Sequence, residues 1–279
     1  MRILSVLVLL NLLISSVCGL GIVTSPKIAW QGKVLKVKLI SAEGISSVKG
    51  SFLGRKFPCY RKGDDYRGII GVPINQKPGY YDLRLIVTKD DGSIVTLEEK
   101  MKLWPTRFPF SKFWLKPSRN KLRSPKIVNN EWGRIEKVLI AKDPKQRWEG
   151  KFIKPLDSIV TQGFGHRQII NGRRAGSHRG VDYRAKIGTP IKSPNNGEVV
   201  FVDKLKAFGG TLVIDHGQGI HTLYFHLSKI VPEVGDEVKK GEIIALSGNS
   251  GVSSGPHLHW GMSVHNLRVD PDQWVKYDI

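Results

Sequence analysis

Two pairs of residues in the C-terminal half of the chain are spaced for holding a metal ion. His178 and Asp182 stand four apart across Gly180, near enough to share one ion if the chain bends there. His257 and His259 stand two apart in Pro256-His257-Leu258-His259-Trp260, and side chains two apart on a strand point the same way. Either pair alone is common in strands that bind nothing. Together, in one short β-rich region, they supply nitrogen and oxygen donors without sulfur. Two histidines and one carboxylate, with a fourth position left to water, is a frequent composition of catalytic zinc sites, whereas closed structural sites favour cysteine. All eight histidines lie beyond residue 165, and His226, in Tyr224-Phe225-His226-Leu227, is the other informative one. Cysteine cannot contribute, because Cys18 and Cys59 are the only two, which excludes both a thiolate cage and a disulfide framework.

The elements that must position these side chains are mainly β. From Phe152 onward, short β-prone runs such as Glu198 to Val202, Thr211 to Ile214, His221 to Phe225 and Ile243 to Leu246 are divided by turns. Asn196-Gly197, Gly209-Gly210 and Gly235-Asp236 supply several of these turns. Residues 151–279 therefore read as an antiparallel, nearly all-β domain. Upstream, Val34 to Leu39 and Tyr81 to Val87 alternate apolar and polar residues, the period of strands with one buried face. Asp91-Gly92 marks a hairpin, and residues 20–105 read as a small β-sandwich of immunoglobulin-like type. That region carries no catalytic constellation, so its expected role is spacing or binding.

Residues 106–150 form a connector with a short helix, expected over Asn130 to Lys142. Trp132, Ile135, Val138 and Leu139 would share one face, packed between the two β-domains. The connector is strongly basic, carrying Arg107, Lys112, Lys116, Arg119, Lys121, Arg123 and Lys126 interleaved with Phe108, Phe110, Phe113 and Trp114. Two readings stand side by side: an adhesive strip for an anionic polymer or membrane surface, and a linker whose aromatics pack on a neighbouring domain.

Across the whole chain, 44 Lys and Arg against 24 Asp and Glu give 44 − 24 = +20, a field that attracts polyanions. Residues 1–19 have the layout of a secretory signal peptide: Arg2, an apolar run from Ile3, then small residues leading to cleavage after Gly19. Export to the periplasm, cell envelope or extracellular space follows as an expectation, with Cys59 then a lone, buried small hydrophobe. An export signal, with no recognition helix and no aromatic RNA-binding motif, argues against nucleic acid as the polyanion.

Residues 150 to 279 resemble the lysostaphin-type (LytM-like) zinc endopeptidases that cut bacterial peptidoglycan. The resemblance is carried in order by Thr161-Gln162-Gly163-Phe164-Gly165, His178 to Asp182, Gly188-Thr189-Pro190, Asp215-His216-Gly217, Tyr224 to Leu227 and Gly251 to Trp260. It implies the duplicated hybrid-motif β fold, one Zn2+ per chain held by His178, Asp182 and His259, and His226 and His257 as catalytic histidines beside the metal. A zinc-activated water would attack the peptide carbonyl, with the two histidines handling its proton. Ser250 and Ser254 stand where relatives often have threonine, and the loop from His166 to Ser177 does not align residue by residue. Peptidoglycan is the implied substrate, with anionic envelope polymers or the membrane surface as further partners of the connector. The alternative is a non-catalytic envelope-binding module that regulates another cell-wall hydrolase. His166, His216, His221 and His265 read as turn, surface or supporting residues, and Trp260 as a wall of the substrate groove.

Overall fold

The computed structural model describes residues 20–40, 43–140 and 143–279, and the expected signal peptide lies outside them. Strands β1 (Gly21–Ser25), β2 (Ala29–Trp30), β3 (Val34–Ile40), β4 (Ile45–Phe52), β5 (Arg55–Lys62), β6 (Asp65–Gly71), β7 (Gly79–Lys89) and β8 (Ile94–Trp104) form one continuous sheet in the order β1-β3-β6-β5-β4-β7-β8-β2. The period-two pattern works as read: Leu83, Leu85 and Val87 are buried while Asp82, Arg84 and Ile86 face out. The β7–β8 hairpin turns at Asp91-Gly92, where Gly92 takes φ +82° and its N–H donates to the Lys89 carbonyl at 3.0 Å. The sheet folds over its own core, which draws on Leu35, Leu39, Phe52, Phe57, Leu85 and Met101. Cys59 packs against that core, and burial pushes its thiol up to about 12.

Beyond it come β9 (Phe110–Phe113), α1 (Pro117–Lys121) and α2 (Pro125–Leu139). The remaining elements are β10 (Val160–Gln162), β11 (Arg167–Ile170), β12 (Arg173–Ser177), β13 (Val181–Arg184), β14 (Pro190–Lys192), β15 (Gly197–Leu205), β16 (Gly209–Asp215), β17 (Ile220–Leu227), β18 (Lys229–Ile230), β19 (Glu237–Val238), β20 (Ile243–Leu246), β21 (His257–Val264), β22 (Leu267–Val269) and α3 (Asp272–Lys276). The second large sheet runs β10-β13-β21-β17-β16-β15-β19, with β22 added to β21. The small β14-β20-β18 sheet covers one face, where Ile191, Ile244 and Ala245 pack with Leu212, Tyr224, Leu258 and Trp260. Helix α2 covers the other, burying Ile135 and Leu139 against Leu205, Val213, Leu223 and Phe225.

The helix departs from expectation in two ways. It begins at Pro125 instead of Asn130, because Ser124 caps it by accepting from Ile127 N–H and Pro125 fills the first position, where an amide hydrogen would have no partner. It also lies on the second sheet, not between the two β-regions. Its buried Glu131 carboxylate accepts from the Lys206, Ala207 and Phe208 amides at 2.6, 2.8 and 3.4 Å and so fixes the β15–β16 turn.

The two large sheets meet directly. Val34 and Ile69 pack with Trp148, Phe152, Met262, Val269 and Trp274. Gln273 binds both backbone groups of Val34, accepting from its N–H at 2.8 Å and donating to its carbonyl at 3.0 Å, and Lys33 pairs with Asp270. No helix among the described residues is long and apolar enough to cross a membrane.

Candidate metal centre

Strands β13 and β21 run antiparallel with Asp182 directly opposite His259 and Arg184 opposite His257. Register alone therefore brings a carboxylate and an imidazole together on the α2 face of the sheet, 2.8 Å apart between Oδ1 and Nδ1. His178 arrives from the loop before β13, its Nε2 3.0 Å from both Asp182 Oδ1 and His259 Nδ1. The three donors form the described His/Asp/His cluster able to hold a metal ion. Ligands of a tetrahedral zinc lie about 3.3 Å apart for bonds of about 2.0–2.1 Å, so a shift of a few tenths of an ångström would seat the ion. The donor set of two nitrogens and one oxygen suits zinc.

The rings are held from behind. His178 Nδ1–H donates to the Gly163 carbonyl at 3.0 Å, which leaves the Nε2 lone pair facing the other two donors. The His259 ring stacks on Phe225 at 5.2 Å between centroids and 12° between planes. Its far edge rests on Gly180, where an added Cβ would lie 2.6 Å from His259 Nε2 and 2.5 Å from the Trp260 carbonyl oxygen.

His257 and His226 stand beside this cluster. His257 Nδ1–H donates to the Gly255 carbonyl at 2.8 Å, and its Nε2 lies 3.9 Å from Asp182 Oδ1. His226 Nδ1–H donates to the Ser250 carbonyl at 2.8 Å, and its ring centroid is 4.9 Å from that of His257. His226 adopts φ +63°, a left-handed conformation costly for a residue with a Cβ, which turns the ring out of the strand's alternation. Both rings therefore have Nδ1 committed to a backbone carbonyl.

Burial and mutual proximity shape the ionisation. Burial alone would raise the Asp182 carboxyl, yet His178 and His259 hold it well below the usual carboxylate range. Burial pushes His226 down to about 3, helped by the neighbouring His257 and His259, and pushes His259 down to about 4 against the opposing effect of its hydrogen bond to the Asp182 carboxylate. Asp182 is thus held as a carboxylate while burial disfavours the charged forms of His226 and His259, and an ionised carboxylate with unprotonated imidazoles is what a divalent metal requires.

The structure brings all five sequence-identified residues together in one cleft of about 1280 Å³. Trp260 is not part of it. It is wholly buried, packed with Tyr183 at 6.4 Å, because it alternates with His257 and His259 and so points to the opposite face. His216 is buried beneath the sheet, bonded to the Asn196 carbonyl at 2.6 Å and Thr222 Oγ1 at 2.8 Å. His166 meets Ser111 Oγ at 2.7 Å.

The connector supplies a wall that sequence reading missed. Strand β9 pairs in parallel with β11, and Lys112, Phe113, Arg123, Asn129 and Trp132 line the cleft. Arg119 donates to the carbonyls of Gly251 and Asn249 at 2.6 and 2.9 Å, clamping the loop that leads into His257. Of the connector aromatics, Phe108 packs on the second core, as the linker reading expects, while Phe110 and Trp114 remain exposed.

Residues 176–271, which include all five site residues, match the family model described as Peptidase family M23. The catalytic domain of lysostaphin from Staphylococcus simulans is 32% identical over 46% of this chain and 90% of that domain, with a TM-score of 0.35. Residues 176–271 are a peptidase family M23 domain. Among M23 relatives, the peptidoglycan DD-endopeptidase ShyB of Vibrio cholerae is 40% identical over 121 residues, 42% of this chain and 28% of that protein. A crystal structure from Pseudomonas aeruginosa, assigned to peptidase M23, covers 88% of this chain at 25% identity and TM-score 0.66, with 93% of that chain matched. The first curated relatives are much longer, and this chain spans about a quarter of their length, 22% and 28%.

Proposed function

We propose that this chain is an exported zinc metalloendopeptidase that hydrolyses peptide bonds in peptidoglycan cross-links or stem peptides. The observation that carries the reading is the convergence of His178 Nε2, Asp182 Oδ1 and His259 Nδ1 within 4.8 Å of one another, on the floor of a cleft flanked by His226 and His257. Relatives named as peptidoglycan endopeptidases support the substrate class. The apolar N-terminal layout supports export, and the charge of +20 suits an anionic envelope.

Zinc held by the three donors would supply a Lewis acid for the scissile carbonyl and a more acidic water. The chain's own part is orientation and proton handling. His257 and His226 each have Nδ1–H committed to a backbone carbonyl, so their Nε2 atoms are the acceptors that face the cleft. The pair takes a proton from the attacking water and returns it to the leaving amine. Asp182 stays ionised throughout, because protonation would break its contacts with both His178 and His259.

The test is mass spectrometry of fragments released from purified peptidoglycan by the zinc-loaded protein, beside a chelated sample and His259→Ala. New peptide ends produced only by the intact zinc protein are expected. Release of no fragments from walls with direct or bridged cross-links would overturn the reading and favour a non-catalytic regulatory module.

A further inference from the structure

Arg268, on β22, is a buried cation without a counter-charge. Only 7% of the residue is exposed, and no ion pair among the described residues includes it. Its guanidinium lies near Trp132 and Phe225, 5.6 and 5.9 Å from the ring centroids. Space for it exists because residue 261 is glycine, where a Cβ would come within 1.7 Å of Arg268 Nη2. One donor is used: Nη2 donates to the Arg179 carbonyl at 2.5 Å. Nε is buried with no partner. The surroundings do not relieve the charge. Burial first, and then the positive charge of Arg179, push Arg268 down to about 9.

Both arginines line the cleft, Arg268 at its buried floor and Arg179 at its exposed rim. They also sit close to the reacting centre. Arg179 follows His178 in the chain, and the Phe225 ring that Arg268 approaches is the one stacked on His259. A desolvated guanidinium normally comes with a carboxylate or phosphate that its planar fork can bind. Among the described residues none pairs with it, although the chain carries 24 acidic residues.

We propose that Arg268 and Arg179 form a carboxylate-reading subsite of the cleft, selecting oligopeptides that carry a free carboxylate within a residue or two of the scissile bond. The inference rests on the peptidase reading and narrows its substrate class. A peptide carboxylate fits better than an anionic polymer, because Arg268 is buried at the floor of the same cleft that holds the candidate metal ligands, beside Trp132 and Phe225, and not on an open surface. Arg268 also tethers the ligand-bearing loop through the Arg179 carbonyl, so the test must separate recognition from tethering.

Two synthetic peptides identical except for that carboxylate, one with the free acid and one with the carboxamide, are compared on the zinc-loaded full chain. The wild type is expected to favour the acid by about 10-fold or more in kcat/KM. Arg268→Met and Arg179→Gln should reduce that preference to within about twofold, mainly through KM, while Arg268→Lys keeps part of it. Arg179→Gln alters an exposed side chain, so it decides the matter even if Arg268→Met folds poorly. Equal losses on both peptides in every variant, or no preference in the wild type, would overturn the subsite. Calorimetric binding of the two peptides provides a readout independent of cleavage. If neither peptide is cut, the peptidase reading fails, whereas tighter acid binding that disappears in Arg179→Gln would still uphold the subsite, and equal binding would overturn it as well.

Discussion

Asp182 and His259 are direct cross-strand partners, and their side chains meet at 2.8 Å because β13 and β21 pair in that register. The candidate metal centre is thus built into the sheet, with only His178 supplied by a loop. Asp182→Asn removes the negative charge and keeps the shape. It is expected to weaken zinc binding by at least about 100-fold, since even the loss of groups that merely orient ligands costs about 10–100-fold. Competition against a chromophoric chelator measures this, and an unchanged far-ultraviolet circular dichroism spectrum would show that the sheet survives.

Gly180 sits between the two sequence-local ligands, and a methyl group there would lie 2.6 Å from His259 Nε2 and 2.5 Å from the Trp260 carbonyl oxygen. The backbone oxygen cannot swing aside as a flexible side chain would. Gly180→Ala should therefore lower stability by about 1–3 kcal/mol and shift His259 away from Asp182. Thermal unfolding and zinc affinity should fall together. A stable variant with normal zinc affinity would show that β13 relaxes at no cost.

The parts of this molecule visible in its sequence are those governed by local periodicity or by short motifs. Leu83, Leu85 and Val87 announce a strand because burial on one face imposes period two. His178, Asp182, His257 and His259 stand in short spacings that survive any folding of the rest. The role of the connector was not visible, because β9 joins β11 by a parallel pairing across more than fifty residues, for which four residues of sequence carry no signal. The start of α2 was visible in Ser124-Pro125, a cap and first-turn signal that reading from the apolar face alone passes over. Trp260 was misplaced for a simpler reason: the alternation that unites His257 with His259 sends the residue after them to the other face. Arg268 could not stand out among 44 basic residues, since burial and not residue type makes it unusual.

Arg119 tests whether the connector belongs to the catalytic machinery. Its two bonds hold the Asn249 and Gly251 carbonyls, and the carbonyl between them, that of Ser250, orients His226. Arg119→Ala should cost about 1.5–3 kcal/mol in stability for the charged hydrogen bonds and lower kcat by about 10-fold or more through a loosened His226. Zinc affinity should stay at the wild-type value, because none of the three donors touches this loop. Steady-state kinetics beside a zinc titration separate the two effects. Loss of zinc with unchanged kcat in the reloaded enzyme would refute the assignment.

His216 makes the stability depend on pH. It is wholly buried, and burial pushes it down from 6.5 to about 3, while its Nδ1–H donates to the Asn196 carbonyl and its Nε2 accepts from Thr222. The folded form therefore stays neutral where the unfolded chain takes up a proton. Between these two values the unfolded state binds more protons, so folding stability is fully present above pH 6.5 and declines as the pH falls toward 3. The contribution approaches about 1.4 kcal/mol per pH unit for one such group. Urea unfolding from pH 7 down to pH 5 should show this decline. In His216→Gln, which lacks the titrating ring, the slope should be shallower by up to that amount, on top of a uniform loss from the altered packing. Equal slopes in the two proteins would mean that His216 is protonated in the folded state, and that the bond from Thr222 runs the other way.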